Sequence, residues 1–139
     1  MSHARARRAI EALLAPWADA LGLPVAYGAE PFEPPQGIYI HGFLLPASTT
    51  SRYLGSDAYE YRGIYQFNII CPMDEPISAP EALVDALSAL FPVDAELARA
   101  GFEGQVLSPV EQGPTVKEAD RYTIPVSFTY IGQAPREGT

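Results

Sequence analysis

The sequence predicts an α+β domain with two helices packed on one face of a mainly antiparallel sheet of about four to five strands, with long hairpin arms. Three observations carry this. Residues 10–21 and 81–91 repeat apolar side chains at helical spacing. Residues 59–71 and 121–130 alternate at period two, the pattern of strands with one buried face. A chain of 139 residues holds about one domain with its own core, expected over residues 1–132 and followed by a disordered tail at 133–139.

In the first helix, Ile10, Leu13, Leu14, Trp17 and Leu21 form the stripe expected to face the core, while Arg5, Arg7 and Arg8 form a solvated face. Pro16 removes the hydrogen bond to Ala12, so a kink or a fresh turn is expected there, with the helix ending at Gly22. A short strand around Val25–Tyr27 leads into AEPFEPPQG, which can only be extended and irregular. Residues 38–45, IYIHGFLL, read as a strand antiparallel to 59–71. Between them PASTTSRYLGSDA is too long for a tight turn and too poor in apolar groups to pack alone. Residues 47–58 are therefore expected to order only on assembly, because fixing each backbone unit costs about 1–2 kcal/mol.

Within YRGIYQFNIICP, Tyr61, Gly63, Tyr65, Phe67, Ile69 and Cys71 make an apolar face, and Arg62, Ile64, Gln66, Asn68 and Ile70 a mixed one. The mixed face needs cover from a helix or another chain. SAPEALVDALSALF is the second helix: Ser78 caps with Glu81, Pro80 suits the first turn, and Pro92 stops it. Leu83, Val84, Leu87, Leu90 and Phe91 are its buried side chains, with Leu87 and Phe67 expected to be fully covered, and Ala82, Ala86 and Ala89 let the first helix approach. Residues 104–110 lead through EQGPTVKEAD into RYTIPVSFTY, where Tyr122, Ile124, Val126, Phe128 and Tyr130 face the core. Pro125 lacks a ladder donor, which calls for an edge strand or a bulge.

A net charge of −8 and a pI near 4.6 argue against nucleic acid as the main ligand. No apolar run approaches the roughly 18 residues of a membrane span. MSHARARRAIEALLAPW is amphipathic and has no signal-type cleavage site, so a soluble protein without an export signal is expected. The single cysteine, Cys71, allows no intrachain disulfide. His3 and His41 offer no metal-ligand pair, and HExxH, CxxC, GxGxxG, Walker and GxSxG patterns are all missing, so neither enzymatic chemistry nor a cofactor is expected. The tyrosines near loops, among them Tyr39, Tyr53, Tyr59, Tyr61 and Tyr65, read equally as a binding face or as ordinary sheet aromatics.

Taken in order, PFEPPQGIYIHGFLLPAST, LGSDAYEYRGIYQFNIICP, APEALVDALSALFP and VLSPVEQGPTVKEADRYTIPVSFTYI, after an amphipathic helix, resemble the tail terminator or tail completion proteins of long-tailed phages. These are the lambda-type minor tail proteins and their prophage counterparts, and the resemblance covers about residues 5–131. It implies a non-enzymatic structural protein, monomeric or weakly associating alone, that closes into a hexameric ring on the tail tube protein, stops tail polymerisation and meets a head-completion or connector protein. DNA would pass through the ring without specific binding. The setting implied is the virion tail, assembled in the bacterial cytoplasm and away from membranes.

On that reading the candidate interface residues are Arg5, Arg7, Arg8, Arg52, Tyr53, Asp57, Glu60, Glu111, Lys117, Glu118 and Pro125. A ring contact is heterologous, so the strand of Pro125 with EQGPTVKEAD would meet the basic first helix of the next copy. Asp57, Glu60, Glu111 and Glu118 suit the lining of a channel for DNA. Two alternatives stay open: a small ligand-binding or enzymatic domain using His41 and Asp57 in a cleft beside the 47–58 arm, and a head-completion or neck protein.

Overall fold

The computed structural model describes residues 2–51, 58–99 and 102–135. Helix α1 (Ser2–Ala20) runs unbroken past Pro16. No fresh helix starts at Pro16, and because Ala12 and Pro16 are both exposed, water can satisfy the carbonyl that the proline leaves without a donor. The end is as expected: Gly22 takes a left-handed φ of 65°, and the Leu23 and Gly22 amides donate to Ala18 and Asp19 carbonyls. The buried stripe is Ala6, Ala9, Ile10, Leu14 and Ala18, whereas Leu13 and Leu21 are exposed. Small alanines, rather than the two leucines, make the close approach to the sheet.

Strands β1 (Val25–Tyr27), β2 (Tyr39–Ser51), β3 (Ala58–Pro72), β4 (Glu96–Arg99), β5 (Phe102–Val106), β6 (Glu111–Gln112), β7 (Val116–Lys117) and β8 (Arg121–Pro135) build one sheet. The order is β1-β2-β3-β8-β5-β4, with β6 and β7 also on β8, which gives eight strands where about four to five were expected. The sheet is mixed, because β1 runs parallel to β2 while every other pair is antiparallel.

The β2–β3 ladder continues through Thr49↔Tyr61 to Ser51↔Tyr59, with a bulge between Pro46 and Ser48. Residues 48–51 and Ala58 are therefore paired in strands, with Ala47 at the bulge, rather than parts of an unstructured arm, while 52–57 lie outside the described residues. Strand β8 extends to Pro135, through 133–135 that the sequence had assigned to the tail.

Pro125 sits in the central strand, not at an edge. Its carbonyl accepts from the Gly113 amide at 2.8 Å, so its imide nitrogen points the same way, into the gap between β6 and β7. The missing donor faces a break in the ladder where one extra residue lies between the Gln112↔Val126 and Val116↔Thr123 pairs, so the irregularity expected at Pro125 is found on its partner segment and the edge position is not.

Helix α2 (Ser78–Leu90) stops before Pro92, as expected, but Ile77 occupies the N-cap position and no side chain caps it. Ala82 and Ala89 face outward, so they form no seam with α1. Leu87 and Phe67 are fully buried. Phe91 lies against Phe67 and Phe128, with ring centroids 5.6 and 4.9 Å away. Tyr65 donates its hydroxyl to Glu11 on α1 at 2.8 Å. Both helices thus cover the face that carries Tyr65, Phe67 and Phe128, here called the inner face.

Candidate assembly interface

The outer face of the sheet divides into an end closed by the chain itself and a longer stretch that the described residues leave uncovered. At the first end the proline-rich connector folds back. Phe32 packs on Tyr39 with centroids 5.3 Å apart, and Arg121 donates to the Pro35 carbonyl at 3.1 Å. Arg121 also lies 5.7 Å above the Tyr39 ring, which faces its charge where the buried Nη1 lacks an acceptor. Because Tyr39 pairs with Ile70, this is the cover that the end of β3 required.

Beyond it, register places Phe43 beside Gln66 and Ser127, and Leu45 beside Ile64 and Thr129. Phe43, Ile64 and Ile131 are half-buried and Leu45 is exposed. At the far end Gln133 pairs with Glu60 on one side and Glu103 on the other. Together with Asp94, Glu96 and Gln105 they line an open depression of about 600 Å3. Glu60 is ion-paired with Arg62 at 3.3 Å. Asp94, Glu96 and Glu103 are exposed and have no cationic partner among the described residues, so the depression is net acidic.

The residues expected from sequence fall in separate places. On α1, Arg7 is occupied by Glu11 at 2.9 Å, whereas Arg8 is exposed and Arg5 half-buried, neither with an ion-pair partner among the described residues. Glu111, Lys117 and Glu118 are exposed on and after the short strands β6 and β7, which flank the half-buried Pro125. Arg52, Tyr53 and Asp57 lie outside the described residues. The sequence reading missed Asp94, Glu96 and Glu103; FEGQV already puts Glu103 and Gln105 on one face at period two, but their meeting with Glu60 needs the register of β8.

Among the described residues, the histidines and the buried hydroxyl and thiol groups have structural partners or surroundings. His41 uses Nε2–H to donate to the Gly28 carbonyl at 2.6 Å and packs on Phe43, a structural role. His3 is held as well: Nδ1 meets the Tyr130 hydroxyl at 2.6 Å and Nε2 meets Thr49 Oγ1 at 3.0 Å. Burial, and then the Glu11 carboxylate, push the Tyr65 hydroxyl well above its ordinary range, and burial pushes the Cys71 thiol up, so both stay protonated and inert. Among the described residues no His, Cys, Asp and Glu side chains converge to hold a metal ion, and no helix is long and apolar enough to cross a membrane.

No curated protein matches the sequence. One solved structure that is 34% identical, with 99% of each chain covered, superposes with a TM-score of 0.82. A family model described as phage tail terminator protein matches residues 5–130. That span takes in all but the first residues of α1, the whole of α2 and all but the last residues of the sheet, and the chain belongs to the phage tail terminator protein family, a group of structural components of the phage tail.

Proposed function

We propose that copies of this chain close into a hexameric ring on the end of the growing tail tube, stop its polymerisation and present the surface to which the head is joined. The observation that carries the reading is the outer sheet face: a half-apolar surface on β2, β3 and β8 that no described part of the chain covers. Membership of the tail terminator family over residues 5–130 supports it. A surface of this kind suits a protein completed by its neighbours.

The partners are then further copies, the tail tube protein below and a head-completion protein above, in a virion component assembled in the bacterial cytoplasm. The ring bears no catalytic residues and needs no cofactor. DNA crosses it without specific contacts, and exposed Glu111 and Glu118 are better placed to face the channel than Glu60, which Arg62 neutralises.

Electron microscopy of particles assembled without the protein tests the reading. Overlong tails not joined to heads are expected. Filled heads without tails would identify a neck protein instead, and normal particles would remove the chain from assembly altogether.

A further inference from the structure

We propose that the uncovered outer face of the sheet is the seat for helix α1 of a second copy of this chain, with Arg5 and Arg8 of the incoming helix directed at the acidic depression. The proposal rests on the reading that copies associate head to tail, and it names the two surfaces that meet.

Three observations bring these surfaces together. The first is charge. The depression holds the uncompensated carboxylates of Asp94, Glu96 and Glu103, and α1 offers two guanidinium groups without ion-pair partners among the described residues. In a chain of net charge −8, opposite charges on the meeting surfaces offset the general repulsion between copies.

The second is shape. The solvent side of α1 carries Ala12 and the half-buried Ala4 and Ala15 around Arg8, so the helix can lie close to a sheet. Phe43, Leu45, Ile64 and Ile131 are the apolar groups it would cover on the neighbour.

The third is direction. Helix α1 packs beneath β3, β5 and β4, the same part of the sheet whose opposite side holds the depression. The two surfaces therefore point in opposite directions from one subunit. A contact between them is heterologous and repeats from copy to copy, as ring closure requires.

Cross-linking tests the contact directly, because the only native thiol, Cys71, is buried. Ala12→Cys on the helix and Gln105→Cys on the sheet face are made separately and together, in the full chain, and treated with a short bifunctional maleimide. The two single variants mixed are expected to give a covalent heterodimer, and the double variant a ladder of multimers. Failure of the mixture to cross-link at high protein concentration, or cross-linking only between Ala12→Cys copies, overturns the assignment.

Charge exchange adds a second readout. Reversal to Arg5→Glu with Arg8→Glu, or to Glu96→Arg with Glu103→Arg, is expected to reduce cross-linking at least about tenfold, while all four changes in one chain restore it to within about threefold. Equal losses with no restoration would leave the face without its charge pairing and reject the docking. The outcome is separable from the tail-capping reading: if wild-type protein caps tails but the helix and sheet thiols never join, only this contact is wrong. If the thiols join but particles lacking the protein have normal tails, the contact stands and the tail role fails.

Discussion

A methyl group added to Gly63 would land on the Tyr130 ring, and one added to Gly132 on the Phe102 ring, so each of these inner-face glycines makes room for an aromatic side chain from a neighbouring strand. Gly63→Ala is expected to cost about 1–3 kcal/mol, because a buried ring would have to leave its rotamer. Urea denaturation measures it, and stability within about 0.5 kcal/mol of wild type would mean that Tyr130 swings aside freely. The sequence placed Gly63 on the core face correctly, yet gave no hint of which ring filled its space, since that depends on the β3–β8 register. The partners of His3 were hidden for a related reason: Thr49 and Tyr130 are more than forty residues away, at 46 and 127 positions. Burial lowers the His3 pKa from its ordinary 6.5, with a hydrogen bond to the Ser48 backbone opposing. The folded chain then binds fewer protons at this ring than the unfolded chain, so its contribution is complete above 6.5 and lost as pH falls below it. Of its hydrogen-bond partners, Thr49 carries no titrating group and burial pushes the Tyr130 hydroxyl further up, away from that range. Between about pH 7.5 and about pH 5, wild type should therefore lose more stability than His3→Gln. Equal losses in the two proteins would place the imidazole in solvent.

Helix α2 was legible because its signals are local: the Leu83, Val84, Leu87 and Phe91 spacing and the stop at Pro92 need no knowledge of the sheet. Leu87→Ala is expected to cost about 2–5 kcal/mol, since Leu87 is fully buried beneath the sheet. Leu45→Ala, on the uncovered face, should cost less than about 0.5 kcal/mol in the isolated subunit. Comparable losses in chemical denaturation would mean that the outer face is closed by the chain itself. Strand β4 was not legible, because ELAR consists largely of helix-favouring residues and becomes a strand only by pairing with β5. The position of β8 was misread from Pro125, whose lost donor matters only where a partner carbonyl faces it. Pro125→Val should change stability by less than about 1 kcal/mol, because the restored amide would point into the gap between β6 and β7. A larger gain would show that residues 113–115 close up to receive it.

The acidic depression depends on features that no single segment contains. Glu60, Glu96 and Glu103 come from three strands, and Asp94 joins them from a left-handed position, φ 69°, held by its amide donating to the Val106 carbonyl at 2.9 Å. The composition announced an acidic protein, and the structure shows where some of that charge is left uncompensated. If this surface receives the arginines of α1 from a neighbour, electrostatics should govern how fast copies meet more than how long they stay together, because the charged groups are exposed while the apolar strip is covered only after docking. Raising NaCl from about 0.1 M to about 1 M shortens the screening length from about 10 Å to about 3 Å. The association rate, followed by stopped-flow energy transfer between labelled subunits, should fall at least about tenfold, with the dissociation rate changing less than about threefold. A rate indifferent to salt would leave apolar burial as the sole drive for association and would remove the acidic depression from the contact.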